Sequence, residues 1–308
     1  MAYRLKRGEA VGDGARRVAK EELGAAVRNL ALPAEQRDTG IHEARKSLKK
    51  VRALLRLLGP AMGEEASREA RRLRNAARRI SGFRDAAVAI ETLDGLLADR
   101  ATKESDKAAP DAGIYAFRAS LVQMKAASEE GGVGKALQLA SAVMARAEGR
   151  VKSWRIPAEG DAAIRPGLEK TYRRGRKALS RARGRFQGDL GHALRKRVKD
   201  LWYDVRLLEG PWLRAAKLSK RLSELETLLG NVHNLAMLGE RLPAGTGHRR
   251  KDEWQHRLEE WIAASQAVLC RKAEALSAKV YAEKPGAFVR GVLIEKAANK
   301  GKPGKAAA

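Results

Sequence analysis

The chain has very little cysteine and few aromatic residues, and each shortage excludes a class of protein. Cys270 is the only cysteine in 308 residues, which excludes a disulfide framework and a cysteine-based zinc site. Phe, Trp and Tyr together make up 5% of the chain. This argues against single-stranded nucleic acid as the ligand, because bases are usually held by aromatic stacking. The sequence also contains no apolar run of about 18 residues, so we expect no membrane span.

Acidic residues are scarce beside the basic ones. The chain carries 63 Lys and Arg against 37 Asp and Glu, for a formal net charge of +26. Such a charge repels itself unless anions screen or bind it, and nucleic acid, anionic membrane and polyphosphate are the candidate partners. Hydrophobic residues make up 44% of the chain, enough for a folded core, so the chain is not a disordered basic tail.

The composition favours an all-α fold. Ala, Leu, Arg, Lys and Glu dominate, and no convincing period-2 run predicts a strand. Predicted helices lie near residues 14–31, 35–58, 63–80, 84–99, 112–128, 134–147, 166–182, 186–209, 212–230, 232–242 and 248–282. Residues 100–113 are predicted to form a surface loop, and residues 153–166, with three Pro and Gly residues, a connector between two halves. We expect residues 299–308 to be a disordered tail.

The most informative pattern is a basic motif that occurs twice. His-x-x-Arg-Lys-x-x-Lys begins at His42 and again at His192, and Leu-Gly-Pro and Leu-Glu-Gly-Pro end the two helices at matching positions. The offset of 150 residues predicts two helical halves, residues 14–150 and 165–290, within one domain spanning 1–308. We expect four-helix-bundle-like halves related by a pseudo-twofold axis, with the two basic helices lining a shared cationic groove.

On a helix, the motif residues fall within an arc of about 120°. The first basic face holds His42, Arg45, Lys46, Lys49, Arg52 and Arg56, and the second holds His192, Arg195, Lys196, Lys199 and Arg206. The apolar side chains opposite them are Leu48, Val51, Leu55 and Leu58, then Leu194, Val198, Leu201, Val205 and Leu208. We expect no acid on the first basic face, so its like-charge neighbours cost on the order of 1–2 kcal/mol. The same repulsion recurs on several helices. We therefore interpret these basic faces as an anion-binding site and not as an ordinary solvated surface.

The neighbouring helices also carry basic residues. We predict that Arg72 and Arg79 in the first half, and Arg173, Arg174, Lys177 and Lys220 in the second, extend the anion site. For His42 and His192 two interpretations stay open, a local helix-start contact or a hydrogen bond donated to phosphate. The five histidines show no metal-ligand spacing, and the chain has no glycine-rich phosphate loop, so we expect neither a metal, a cofactor nor an enzyme.

These segments resemble the CHAD family, the conserved histidine α-helical domain. The resemblance is carried by residues 41–60, 78–93, 167–179, 191–211, 220–238 and 273–288, in the family's order. It implies two helical bundles related by a pseudo-twofold axis, with a basic central cavity whose ligand is inorganic polyphosphate. By motif position it also matches Tyr172, Arg176, Arg84 and Asp85. Asp200 and Trp202 depart from the family's basic pattern, so we expect the second half to bind more weakly.

The sequence therefore predicts a cytoplasmic protein that binds inorganic polyphosphate and associates with polyphosphate granules, without a membrane partner. Polyphosphate has many charges and no bases, so it requires Lys and Arg donors and no stacking platform. Sequence-independent nucleic-acid binding is the alternative, because a chain of this charge binds DNA or RNA non-specifically at low salt.

Overall fold

Helices account for nearly all of the chain that the computed structural model describes, which is residues 3–80, 85–101, 111–130, 133–157, 159–212, 214–243 and 252–294. Over these residues the predicted all-α fold is confirmed, and no strand is present. The helices are α1 (Val11–Leu30), α2 (Arg37–Leu57), α3 (Gly59–Met62), α4 (Glu64–Arg79), α5 (Asp85–Ala101), α6 (Ala112–Glu130), α7 (Val133–Arg150), α8 (Gly160–Ala182), α9 (Gly188–Leu207), α10 (Ala215–Gly239), α11 (Glu253–Val280) and α12 (Pro285–Val292). The predicted tail 299–308 and most of the predicted loop 100–113 lie outside the described residues.

The two basic helices, α2 and α9, are held by their apolar faces. All nine apolar residues predicted opposite the basic faces are at most 1% exposed. Helix α2 packs against α1, α4, α8 and α9, and α9 packs against α8 and α10. Burial of these side chains is the main stabilising contribution, and it fixes which way the basic side chains on the other face can point.

Two hydrophobic cores stabilise the fold, and they do not coincide with the two predicted halves. The main core combines side chains of α1, α2, α4 and α7 with side chains of α8, α9, α10 and α12. The smaller core joins α5 and α6 to the end of α10 and to α11. Each core therefore contains residues from both sides of the predicted connector. The pseudo-twofold relation between the halves stays a prediction.

Three features of the helices differ from the sequence prediction. Helix α10 runs without a break through Gly230, where two helices were expected. Helix α8 begins at Gly160, inside the predicted connector, and contains Pro166. Helix α12 was not predicted, although Pro285 at its first turn and buried Phe288, Val289 and Val292 at helical spacing are a readable signal.

Core packing explains why α8 tolerates Pro166. Ile164 and Leu168 on either side of it are fully buried. The backbone at Gly167 lies against the end of α2, where a Cβ would be 1.7 Å from the Leu57 carbonyl oxygen. This packing outweighs the single helical hydrogen bond that a proline removes.

The tyrosine and glycine of the Tyr-Arg-Arg-Gly-Arg-Lys segment fix the C-terminal helix. The Tyr172 hydroxyl is 3.3 Å from the Val280 carbonyl oxygen and 3.1 Å from that of Glu283. Its ring stacks on Phe288 with centroids 3.7 Å apart. Gly175 lies under the Tyr281 ring, whose nearest atom would be 2.4 Å from an added Cβ. These two motif positions are therefore structural.

We predict that Gly175→Ala lowers the free energy of unfolding by about 1–3 kcal/mol, because the new methyl group displaces a fully packed ring. Gly95→Ala is the matched control. Gly95 is an exposed helical glycine with nothing within 4 Å of an added Cβ, so this change should stabilise by up to about 1 kcal/mol. Urea unfolding followed by circular dichroism measures both, and equal midpoints would contradict the packing described here.

Candidate anion-binding site

The basic faces of α2 and α9 meet at Lys49 and Lys199, which line two cavities at once. The larger one, the main basic cavity, has a volume of about 820 Å³ and lies between α2, α4, α8 and α9. The smaller one, the second basic cavity, has a volume of about 480 Å³ and lies between α2, α5, α9 and α10. Cations from segments far apart in the chain thus face common hollows.

The main basic cavity is lined by ten Lys and Arg side chains and one acid, Asp200. The cations are Lys49, Arg52, Arg56, Arg71, Arg74, Lys170, Arg174, Lys196, Arg197 and Lys199. Asp200 Oδ1 lies 3.1 Å from Arg56 Nη1, and Asp200 Oδ2 lies 3.0 Å from Arg197 Nη1. Lys199 donates a hydrogen bond to Glu226 Oε1. Three of the ten cations therefore have an acidic partner.

The other seven cations form no salt bridge with any residue in the described part of the chain. They are Lys49, Arg52, Arg71, Arg74, Lys170, Arg174 and Lys196. Cations that face one hollow without acids repel one another, and a bound anion would relieve that repulsion. No side chain among the described residues accepts a hydrogen bond from them, so their donors are available to an anionic ligand.

Lys49 experiences this environment most strongly. Burial is the main cause that lowers its pKa from 10.5 to about 7, and the charges of Lys199, Arg45 and Arg195 lower it further. Glu226 acts in the opposite direction. Burial also lowers the pKa of Arg52, with Arg56 and Arg74 as the next contributions. The junction of the two cavities is thus short of negative charge.

The second basic cavity is more nearly balanced. Its cations are Arg45, Lys49, Arg195, Lys199 and Arg241, and its acids are Glu91 and Glu226. Glu226 Oε1 lies 3.6 Å from Arg195 Nη2 in addition to its bond with Lys199. His42 also lines this cavity, with its side chain 37% exposed. The predicted residues His42 and Arg45 are therefore beside the junction.

The two motif histidines lie in different surroundings. His192 lines a small neighbouring cavity of about 170 Å³, and its ring centroid lies 4.4 Å from that of His233. The buried Nδ1 atom of His192 has no hydrogen-bond partner among the described residues. Burial, followed by Lys196 and Arg195, lowers the pKa of His192. Burial and His192 lower the pKa of His233 to about 4.

Several predicted site residues lie outside the two basic cavities, and an acid or an aromatic ring holds four of them elsewhere. Lys46 Nζ is 2.8 Å from Glu43 Oε1, so the expectation of no acid at the first basic face is wrong. Arg72 is 3.0 Å from Glu69, which also binds Arg150 on α7. Arg173 pairs with Glu169, and Arg206 lies over the Trp202 ring. Arg79 and Lys220 are exposed and line neither cavity.

A third cavity, of about 500 Å³, continues from the main one along α8 and α9. It shares Arg174 and Arg197 with the main basic cavity and adds the predicted Lys177 and also Arg181. No acid is among the described residues that line it. Of the family-like Tyr-Arg-Arg-Gly-Arg-Lys segment, Arg174 and Lys177 line the main or the third cavity. Arg176 instead donates to the Glu283 carbonyl oxygen at 2.9 Å.

Sequence reasoning missed four residues of these sites entirely, namely Arg74, Arg197, Arg241 and His233. Arg71 and Lys170, which are on the same basic helices as predicted residues, were also not included in the predicted site. The side of α4 that faces the cavity carries Ser67, Ala70, Arg71 and Arg74. The last three follow Ser67 by 3, 4 and 7 residues, which is the spacing of one helix face. That pattern was readable, but nothing in the sequence marked which arginine face of α4 points inward. Arg84 lies outside the described residues.

The comparisons with known proteins agree with the predicted family. The model of the family described as CHAD domain matches residues 17–243. The match contains both basic helices and every residue of the main basic cavity. The predicted family segment 273–288 lies beyond it. No curated protein and no solved structure matches the chain.

Two features are absent from the described residues. No described helix combines the length and the apolar character that crossing a bilayer requires. No group of three or more His, Cys, Asp or Glu side chains in the described ranges is arranged to hold a metal ion.

We predict that Lys49→Met raises the free energy of unfolding of the anion-free protein. The folded-state pKa of about 7 is below the ordinary value of 10.5, so the unfolded chain binds more protons in that window and wild-type stability rises with pH across it. The gain from Met should be largest below pH 7 and shrink towards pH 10.5. Urea unfolding in phosphate-free buffer at about pH 6 and about pH 9 measures it.

Lys46→Met is the matched control, because Lys46 is on the same helix but is paired with Glu43. It should change stability little and without this pH trend. If Lys49→Met were no more stable than wild type at either pH, the buried amine would not destabilise the fold.

Proposed function

The chain belongs to the CHAD domain family, and on that premise we propose that it binds inorganic polyphosphate in the main basic cavity and associates with polyphosphate granules in the cytoplasm. The observation that supports this most is the set of seven cations that line that cavity without a salt bridge among the described residues. A linear polyanion offers one charge per repeating unit, so it can satisfy many of them at once.

The shape and composition of the cavity favour a thin linear anion over nucleic acid. Tyr203 is the one aromatic residue among the described lining residues of the main basic cavity, and it is 4% exposed. It therefore offers no platform for a stacked base. A volume of about 820 Å³ is within the range of small-molecule pockets, about 300–1,000 Å³. Binding without turnover is the role we propose, because the cavity is lined by charge-assisted hydrogen-bond donors.

We predict that Arg71→Gln/Arg74→Gln weakens binding of long-chain polyphosphate by at least about tenfold, because each lost charge-assisted hydrogen bond contributes about 1.5–3 kcal/mol. The matched control is Arg68→Gln/Arg79→Gln, which removes the same charge from positions on α4 that line neither basic cavity. It should weaken binding by less than about threefold, through general electrostatics alone. Isothermal titration calorimetry at near-physiological salt compares the two variants.

Competition with duplex DNA at equal phosphate concentration distinguishes the alternative function. Polyphosphate should remain bound, and its affinity should fall steeply with added salt because counterions are released. Displacement by DNA, or equal losses in the two double variants, would instead favour sequence-independent nucleic-acid binding on the outer surface.

We also predict that polyphosphate affinity falls as pH rises above about 7. A bound anion favours the protonated form of Lys49, whose pKa is about 7 in the free protein. Below that pH the amine is already charged and affinity should level off. Above it, each pH unit costs up to about tenfold until the pKa of the bound form is reached.

Lys49→Arg tests this assignment, because arginine keeps its charge throughout the range. The other charged groups at the junction are Arg45, Arg195, Lys199 and Glu226, with His42 and His233 in the same cavity. A pH dependence that survives unchanged in Lys49→Arg would assign the proton uptake to one of the histidines.

A further inference from the structure

The Lys49 amine is in an unusual position for a lysine. It lines both basic cavities and forms no salt bridge or side-chain hydrogen bond with a described residue. Arg52, one helical turn further along α2, and Lys196 on α9 line the main cavity beside it, also without acidic partners. A primary amine is thus half-buried among phosphate-binding groups, with open volume on two sides.

We propose that Lys49 is a covalent modification site for acyl phosphates, with the surrounding cations binding the phosphate group and the amine accepting the acyl group. Two elements of the site support this class of reagent. Guanidinium groups bind phosphate oxygens with two donors. The same donors stabilise the negative charge that develops on the phosphate as it leaves. The inference uses the cations of the cavity but does not depend on polyphosphate binding.

The reaction balances without an oxidant or a metal. The lone pair of the Lys49 Nζ atom attacks the carbonyl carbon of the acyl phosphate, and a carbon–nitrogen bond forms. The bond between that carbon and the bridging phosphate oxygen breaks, and orthophosphate leaves with the electron pair. One proton passes from nitrogen to the departing phosphate or to water. The product is an uncharged amide on Lys49 and free orthophosphate.

The nucleophile must be the neutral amine, and the site favours this form as long as no polyanion occupies it. Burial and the neighbouring cations lower the pKa of Lys49 to about 7, so much of it is neutral at physiological pH, whereas an ordinary lysine, with a pKa of about 10.4, is almost wholly protonated. On the side of the second basic cavity, the charged and titratable groups are Arg45 and His42 on α2, Arg195 and Lys199 on α9, Glu226, His233 and Arg241 on α10, and Glu91 on α5. On the side of the main basic cavity they include Arg52, Arg56, Arg74, Lys196 and Asp200. Glu226 is engaged by Lys199 and Arg195, so it does not hold the Lys49 amine in its charged form.

The test is acetylation of the full-length protein by acetyl phosphate at about pH 7.5, with site occupancy measured by mass spectrometry. Exposed Lys220 is the internal reference. Lys49 should react at least about tenfold faster than Lys220, from its larger neutral fraction. Pyrophosphate should slow the reaction at Lys49 and leave Lys220 unchanged. A Lys49 rate no higher than that of Lys220 would overturn the proposal.

A phosphate-free reagent separates directed reaction from simple nucleophilicity. N-acetylimidazole should show a smaller preference for Lys49, and Arg52→Gln should slow acetyl phosphate at Lys49 without slowing N-acetylimidazole. An equal preference for both reagents, insensitive to pyrophosphate, would also overturn the proposal. The pyrophosphate comparison uses wild-type protein, so it holds even if Arg52→Gln folds poorly. Because no polyphosphate is present, this result and that of the polyphosphate titrations can fail independently.

Discussion

Repulsion between like charges is the constraint on which this architecture depends. Seven cations without salt bridges in the described residues face one cavity, and solvent alone would favour their dispersal over the surface. They stay together because the four helices that carry them, α2, α4, α8 and α9, all bury apolar side chains in the main core. The hydrophobic burial that stabilises the fold therefore also maintains an arrangement that is electrostatically unfavourable until an anion binds. The pKa of Lys49 is lowered first by this burial and then by the charges of Lys199, Arg45 and Arg195.

Acids decide which cations are free to bind a ligand. Arg56 lies 3.1 Å from Asp200 and 3.6 Å from Asp204, which is completely buried. Burial raises the pKa of Asp204 to about 7, with Arg56 opposing the shift. Arg56 therefore serves the α2–α9 contact more than the cavity, because a ligand would have to compete with two carboxyl groups for it. Glu69 likewise keeps Arg72 from a ligand. It forms salt bridges with Arg72 on its own helix, α4, and with Arg150 on α7. Neighbouring cations on one basic helix can therefore differ in role. One faces the cavity, and the next forms a salt bridge that stabilises the fold.

The sequence was sufficient for the fold class, the basic helices and their buried faces, because these follow from residue spacing on a single helix. It was not sufficient for the choice of arginines on α4. Arg71, Arg72 and Arg74 differ only in helical phase, and the inward side depends on where Glu69 meets Arg150, a contact between residues 81 positions apart. His233 was missed for a similar reason, since only the packing of α10 against α9 brings its ring to His192. Both features are determined by contacts between residues far apart in the chain, which no local sequence pattern indicates.

The repeated motif produces a lopsided site. Arg45 and Arg195 both line the second basic cavity, and Lys49 and Lys199 both lie at the junction, so the repeat holds there. It fails at the next turn, where Arg52 lines the main cavity but its counterpart Trp202 stacks on Tyr203. Positive charge without compensation is consequently concentrated on one side of the junction, while Glu91 and Glu226 moderate the other. A polyanion that spans both cavities would bind most strongly at its middle and on the α4–α8 side, so the two copies of the motif contribute unequally even though their sequences are so alike.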